Sequence, residues 1–129
     1  PIIAESNLDI NFKHNESEIL IDADLEMIKT VIQNFVTNAI KHATNQIIIN
    51  VEKSSKGVSL SVSNNGEMIN KTQIEKIWDV FYKTELKKHN RLGSSGIGLS
   101  IAKNILMLHH FEHGCNSNKE LTTFWFKTK

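Results

Sequence analysis

The chain has 129 residues, of which 40% are apolar and 22% are charged, a size and balance typical of one globular domain. The net charge is +1 and charges of both signs are interspersed, which argues against the clustered positive charge of a nucleic-acid binder. Cys115 is the sole cysteine, which excludes an internal disulfide, and no apolar run reaches the ~20 residues that span a bilayer.

The first part of the chain predicts two strands. Leu8, Ile10 and Phe12 alternate with polar residues, as in a half-buried strand. The apolar run at residues 19–21 predicts a second, short strand. Because the chain starts at Pro1 and not at Met, we expect it to be part of a longer protein.

A helix is predicted over residues 25–43, capped at its N-terminus by Asp24. At about 100° per residue, Asn34, Asn38 and Lys41 fall in a narrow arc, which we predict to lie opposite the apolar face. That apolar face is predicted to consist of Leu25, Ile28, Ile32, Phe35, Ala39 and Ala43.

The remaining elements complete an α/β pattern. Alternation at residues 47–51 and 58–62, separated by a turn at Lys56-Gly57, predicts a hairpin. Helical spacing predicts a partly helical segment over 71–82 and a helix from Gly96 to about residue 110. The order β-β-α-β-β-α-loop-α-β-β predicts a two-layer α/β sandwich, with helices covering one face of a sheet.

The segment at residues 91–99 is rich in glycine and precedes a predicted helix. Glycines allow backbone amides to approach an anion closely, and a helix N-terminus favours negative charge, so this segment predicts either a phosphate cradle or a mobile loop. The P-loop is excluded because no Gly-Lys precedes a Ser or Thr, and the dinucleotide fingerprint because Ile101 stands at its third glycine.

The amides of Asn34 and Asn38 lie one helical turn apart, with Lys41 three residues further. Amide carbonyls suit Mg²⁺ bound together with phosphates, and the lysine would add positive charge. The alternative is an ordinary solvated helix face.

Four segments, at residues 33–43, 63–69, 77–83 and 93–102, together resemble the ATP-binding catalytic domain of sensor histidine kinases. They occur in the family's order and spacing over nearly the whole chain. Their residues are most similar to those of Gram-positive kinases of the vancomycin-sensor type. The segments are 33–43 (N box), 63–69 (first glycine box), 77–83 (F box) and 93–102 (second glycine box).

The resemblance implies a Bergerat-type fold: a mixed, largely antiparallel sheet covered on one face by about three helices, binding ATP and Mg²⁺. Residues 1–129 would form one catalytic domain, with an ATP lid at about 83–95. Asn38 would coordinate Mg²⁺, and Asn34 and Lys83 would be the catalytic residues. The residues implied to contact the nucleotide are Asn34, Asn38, Lys41, His42, Asn64, Gly66, Met68, Ile69, Phe81, Lys83, Arg91, Gly93, Gly96, Ile97, Gly98 and Leu99.

Two positions depart from the family's pattern. Asn64 stands where the family has an aspartate that accepts a hydrogen bond from the adenine amino group, although an amide oxygen can also accept it. Met68 replaces the second glycine of the same box and would narrow the adenine pocket. These departures leave open a degenerate module that binds nucleotide weakly or serves only for docking.

The resemblance also implies partners. The phosphoacceptor histidine would lie on a separate dimerisation domain of the same parent protein, and a response regulator would receive the phosphate. His14 lies in a predicted strand and is interpreted as a surface residue, so this chain alone is not expected to phosphorylate itself. We expect a soluble, monomeric, cytoplasmic domain of a membrane-anchored sensor kinase. An ATPase of the gyrase and Hsp90 type is the third alternative, which Asn34 disfavours because those relatives have a glutamate there.

Overall fold

The computed structural model describes residues 8–79 and 98–128, so the predicted lid lies outside the described residues. Within them the chain forms a five-stranded sheet, three α-helices and one 3-10 helix. The strands are β1 (Asp9–His14), β2 (Ala43–Ser54), β3 (Gly57–Gly66), β4 (Glu112–Ser117) and β5 (Thr122–Lys127). The helices are α1 (Leu25–His42), α2 (Lys71–Ile74), the 3-10 helix (Lys76–Trp78) and α3 (Gly98–Leu108).

The sheet has the order β1-β2-β3-β5-β4. β1 pairs with β2 in parallel, and the other three pairings are antiparallel. β2 and β3 form the predicted hairpin, in which Gly57 adopts a φ of +128° that favours glycine. The prediction of a mixed, largely antiparallel sheet is therefore confirmed.

The hydrophobic core lies between the helices and one face of the sheet. α1 packs against both α3 and β3, so it is buried on two sides. Burying one large apolar side chain contributes about 1.5–3 kcal/mol, so this layer dominates the stability. The largest side chains that are fully buried are Phe35, Phe124, Phe126, Ile47, Leu106, Val31 and Val62.

α1 begins and ends close to where the sequence predicts. The Asp24 carboxylate accepts a hydrogen bond of 2.9 Å from the backbone N–H of Met27, as expected of an N-cap. At the other end, the N–H of Ala43 still bonds to the Ala39 carbonyl while β2 begins at the same residue. The helix therefore passes into the strand without a connecting loop. Among the described residues, no helix has both the length and the apolar character needed to cross a membrane.

The predicted apolar face of α1 is only partly right. Leu25 is 70% exposed, whereas Val31 and Asn38 are buried. Because α1 contacts α3 as well as the sheet, its buried face is centred on Val31 and Phe35 and extends to Asn38. The polar arc therefore adjoins the apolar face and does not lie opposite to it.

Two strand predictions need correction or completion. Residues 19–21 do not form a strand: Leu20 is 77% exposed, and the described partner of β1 is β2, so this apolar run has no ladder to join. The sequence predicts two strands after the last helix without locating the first of them, which is β4 at Glu112–Ser117. Its residues show little apolar alternation, and β4 is held by its antiparallel ladder with β5.

Candidate functional site

The C-terminal half of α1 places Asn38 at the boundary between the core and the polar arc. Its side chain is only 7% exposed. The Oδ1 atom is buried and accepts no hydrogen bond from any residue in the described parts of the chain. Burying an unsatisfied acceptor costs about 1–3 kcal/mol. A buried carbonyl oxygen of this kind suits a ligand that the folded protein binds.

Asn34, one turn earlier, lies against the first residue of α3. A Cβ atom added at Gly98 would lie 3.0 Å from Asn34 Oδ1 and 3.4 Å from its Cγ. Glycine at this position lets the α3 N-terminus approach the amide of Asn34 closely. The first N–H groups of a helix lack intrahelical partners and carry partial positive charge, so this junction is suited to an anion.

Asn64 lies near the end of β3 and is 3% exposed. Its Nδ2 donates a 2.8 Å hydrogen bond to the backbone oxygen of Asn65, which fixes the orientation of the amide. The other end of that amide, Oδ1, is an acceptor. Asn64 pairs with Ile47 on one side and with Thr122 on the other, so it is held within the ladder.

Gly66, two residues further, brings the end of β3 against the end of α1. It has a φ of +131°, a conformation that L side chains rarely adopt. A Cβ atom there would collide with the backbone oxygen of His42. Glycine is therefore required twice over, by the backbone angle and by the close approach.

The 3-10 helix adds the last contact with α1. Trp78 is buried and packs edge-on against Phe35 of α1, with ring centroids 6.2 Å apart. Members of the other three predicted boxes thus converge on the N box of α1: Gly98 on Asn34, Gly66 on His42, and Trp78 on Phe35. These contacts bring the N-terminus of α3 and the end of β3 to α1, the helix that carries the buried amide of Asn38.

Residues 23–129 match the model of the family of histidine kinase-, DNA gyrase B- and HSP90-like ATPases. The chain belongs to this family. The match covers most of the chain and supports ATP as the ligand of this domain.

Curated relatives of this ATPase domain are sensor kinases. The sensor protein IrlS of Burkholderia pseudomallei is 30% identical over 83% of this chain and 24% of its own length. The sensor histidine kinase WalK of Bacillus subtilis is 31% identical over 73% of this chain and 16% of its own length. The chain therefore spans a quarter or less of these relatives. VanS of Enterococcus faecium, at 28% identity, is one of several sensor kinases at similar levels, so the vancomycin-sensor subgroup is not singled out.

Solved structures give the same fold. The catalytic domain of histidine kinase ThkA, in a nucleotide-free form, is 29% identical with a TM-score of 0.85, covering 98% of this chain and 81% of that one. ThkA has also been solved in complex with the response regulator protein TrrA, where the TM-score is 0.80 and the match covers 98% of this chain and 35% of that one. The Bergerat-type fold implied by the sequence is confirmed.

The remaining candidate residues occupy different environments in this ATPase domain. Lys41 and His42 are half-buried in the last turn of α1, where positive charge is favoured. Met68 is 47% exposed, and Leu99 is a core residue of α3 with 6% exposure. The candidates outside the described residues are Phe81, Lys83, Arg91, Gly93, Gly96 and Ile97.

Sequence reasoning missed two hydroxyl residues beside Asn64. Thr122, its ladder partner on β5, is 5% exposed, and its Oγ1 lies 2.6 Å from Oγ of Ser117. Ser117 Oγ also accepts a 2.9 Å hydrogen bond from the backbone N–H of Ile69. The network ties the first glycine box to the β4–β5 hairpin. The only sequence signal is a Thr-Thr pair at the start of a strand, which is too common to single out.

Proposed function

We propose that this chain is the catalytic domain of a two-component sensor histidine kinase, which transfers the γ-phosphate of ATP to a histidine on a separate dimerisation domain. The observation that carries the proposal is the convergence of three boxes on the N box of α1. In particular, the amide of Asn34 lies against Gly98 at the N-terminus of α3. The names of the sensor kinase relatives support the same assignment.

Asn34 favours phosphoryl transfer over hydrolysis. An amide has no basic site at neutral pH, so it cannot take a proton from an attacking water. Gyrase and Hsp90, which hydrolyse ATP, have a glutamate at the position that corresponds to Asn34. A histidine imidazole is already a nucleophile, and needs positioning more than a strong base. Asn34 would orient the reacting groups at the α3 N-terminus.

Asn38 is the residue best suited to a divalent cation. Its buried Oδ1 accepts no hydrogen bond from a described residue, and carbonyl oxygens are ligands that Mg²⁺ accepts. Mg²⁺ bound there would neutralise phosphate charge during transfer. Asn38 would then satisfy its carbonyl oxygen only when nucleotide and metal are bound.

Asn64 would recognise the adenine base. Because one end of its amide is bonded to the Asn65 carbonyl, Oδ1 remains available to accept from the exocyclic amino group. Met68 and Ile69 would border this pocket. The amide thus serves the accepting role that the resemblance assigns to an aspartate.

Charged side chains would stabilise the phosphates in the transition state. Lys41 lies in the last turn of α1, half-buried, beyond Asn38 on the same arc. Lys83 and Arg91 are the further candidates, within or beside the proposed lid at 83–95 that Phe81 would anchor. Cations held close to the transferring group offset the negative charge that spreads over its oxygens.

The proposed partners lie outside the chain. Residues 1–129 would form a single catalytic domain that meets a dimerisation domain carrying the phosphoacceptor histidine. The relay would end on a response regulator, which is supported by the ThkA complex with TrrA. We propose that the domain is monomeric by itself, does not bind nucleic acid, and works on the cytoplasmic side of a membrane-anchored sensor.

Calorimetric titration with a non-hydrolysable ATP analogue, with and without Mg²⁺, tests the nucleotide site. We expect binding that Mg²⁺ strengthens, and expect Asn38→Ala to lose that dependence. Transfer of labelled phosphate from ATP to a separately supplied dimerisation domain tests the reaction. Good binding without transfer would favour a docking module, the alternative that Asn64 and Met68 raise. Rapid hydrolysis by the chain alone would favour an ATPase of the gyrase type.

A further inference from the structure

The side chain of Asn65 holds together the start of β2. Its Oδ1 accepts hydrogen bonds from three successive backbone N–H groups, those of Thr44 (3.2 Å), Asn45 (3.1 Å) and Gln46 (3.0 Å). Its Nδ2 donates a 2.8 Å hydrogen bond to Asn45 Oδ1. Both ends of one amide are therefore used on the same short segment.

These three N–H groups need such a partner because the ladder is irregular there. β2 pairs with β3 at Ala43 and again from Ile47, and the register shifts in between. Residues 44–46 thus lie outside the regular β2–β3 register, directly after α1, although Gln46 pairs with Asp9 of β1. Successive N–H groups that converge on one point form a concavity that favours an anion or a carbonyl oxygen. Asn65 supplies that oxygen from within the protein.

The neighbours of Asn65 belong to the nucleotide site. Asn64 Nδ2 donates a hydrogen bond to the backbone oxygen of Asn65. Gly66 lies against the carbonyl of His42, the last residue of α1. Since side chains alternate along a strand, Asn65 points away from the face that carries Asn64. Any effect of Asn65 on the nucleotide must therefore act through its neighbours.

We propose that Asn65 is a positioning residue, which sets the place of the adenine-recognising amide of Asn64 relative to Asn38 on α1. The inference rests on the proposed function, because it assumes that Asn64 and Asn38 bind the two ends of one nucleotide. The irregular segment at 44–46 lies at the start of β2, directly after α1, and Asn65 fixes it to β3. We call the hydrogen bonds from residues 44–46 to Asn65 Oδ1 the clamp. Without it, Asn64 on β3 and Asn38 on α1 are free to shift relative to each other.

Two variants distinguish the effect of these hydrogen bonds from the effect of side-chain packing at residue 65. Asn65→Leu keeps the branched shape but removes the acceptor, whereas Asn65→Asp keeps the acceptor and loses only the donation to Asn45. A carboxylate accepts hydrogen bonds from several backbone N–H groups particularly well. Asn45→Ala is the matched control, because it removes the partner of Asn65 Nδ2 and leaves all three backbone N–H groups in place.

Each variant is titrated calorimetrically with the non-hydrolysable ATP analogue in Mg²⁺, and amide hydrogen exchange is followed at residues 44–46. Because the two ends of the site would no longer be held in place, we expect Asn65→Leu to raise Kd by at least about tenfold, which corresponds to about 1.4 kcal/mol of binding free energy, and to lose amide protection. Asn65→Asp and Asn45→Ala should stay within about threefold of the parent Kd and keep the protection.

Failure of the proposed function and failure of the positioning role of Asn65 give different results in these experiments. A parent chain that binds no nucleotide contradicts the proposed function. A parent that binds, with a folded Asn65→Leu that binds equally well, overturns the positioning role of Asn65. If Asn65→Leu does not fold, the smaller Asn65→Ala replaces it: a Kd raised by about tenfold or more with lost protection supports the role, and a parent-like Kd overturns it.

Discussion

Gly98 approaches Asn34 so closely that a Cβ atom added at the glycine would lie 3.0 Å from the Asn34 carbonyl oxygen. This contact joins the N-terminus of α3 to the polar arc of α1. A side chain at residue 98 would have to push the amide aside, and the amide is the group proposed to orient the reacting phosphate. The glycine is therefore explained by the site and not by its helix, where alanine is the better residue.

Gly98→Ala should separate stability from binding. In the middle of a helix alanine is favoured over glycine by about 0.5–1 kcal/mol, but Gly98 is the first residue of α3 and its Cβ must displace Asn34, so the free energy of unfolding should change little. The displaced Asn34 amide should raise the Kd of the ATP analogue by about tenfold. Urea denaturation and calorimetric titration of the same preparation measure both quantities.

Asn104→Ala is the matched control for that variant. Asn104 lies on α3 and is exposed, so the substitution raises helix propensity without approaching Asn34. It should stabilise the chain and leave the Kd unchanged. Equal binding by Gly98→Ala and by the parent would show that the close contact with Asn34 has no role in the nucleotide site.

Asn38→Ala should lose the Mg²⁺ dependence of nucleotide binding without lowering stability. The parent buries an acceptor that no described residue satisfies, which costs about 1–3 kcal/mol, and removing it offsets the loss of packing. The measurements are thermal melting and titration with and without Mg²⁺. Gln33→Ala, an exposed change on the same helix, should alter neither. A variant that retains the full Mg²⁺ effect would exclude Asn38 as the ligand.

Asn64 should give the site a preference for adenine. Guanine carries a carbonyl where adenine carries its amino group, so Asn64 Oδ1 would face another acceptor and repel it. We expect a GTP analogue to bind at least about tenfold more weakly than the ATP analogue, since a lost hydrogen bond to a buried group costs about 1–3 kcal/mol. Competition titration with the two analogues measures this ratio.

Asn64→Leu should remove that preference, because leucine has the same branching but no acceptor. Ser63→Ala is the control: Ser63 is the preceding residue of β3, and its hydroxyl lies 2.7 Å from Thr123 Oγ1, so on the alternating strand it points to the other face of the sheet. Ser63→Ala should have the same ratio of ATP-analogue to GTP-analogue affinity as the parent chain. A preference for ATP that survives Asn64→Leu would mean that another group reads the base.

The elements with strong local signals could be predicted from the sequence. α1 has an N-cap at Asp24 and eighteen residues of helical spacing, and the hairpin has a turn at Gly57 between two alternating strands. The run at 19–21 carried the same kind of local signal and proved wrong, because a strand also needs a neighbouring ladder. β4 is the opposite case. Its residues show little strand signal, and it forms a strand because it pairs with β5.

The site was predicted as a set of segments, and its contacts were not. Which side of Asn38 is buried depends on α3 packing beside α1, and a helical wheel contains no second helix. The pairing of Asn64 with Thr122 depends on the register of β5, which pairs with β3 although it lies more than fifty residues further along the chain. Asn65 likewise acts on a β-strand irregularity that local spacing does not reveal.

Trp78 should be the residue of the F box on which the stability of the fold most depends. It is 7% exposed, and its ring packs edge-on against Phe124 (5.5 Å between centroids) and His113 (5.3 Å) as well as Phe35. Trp78→Ala should lower the free energy of unfolding by about 3–5 kcal/mol, because it leaves a cavity among these rings. Phe12→Ala is the control, since Phe12 is 63% exposed on the edge strand and its loss should cost well under about 1 kcal/mol. Urea denaturation followed by circular dichroism measures both, and similar midpoints for the two variants would show that the 3-10 helix is not packed on α1 as described.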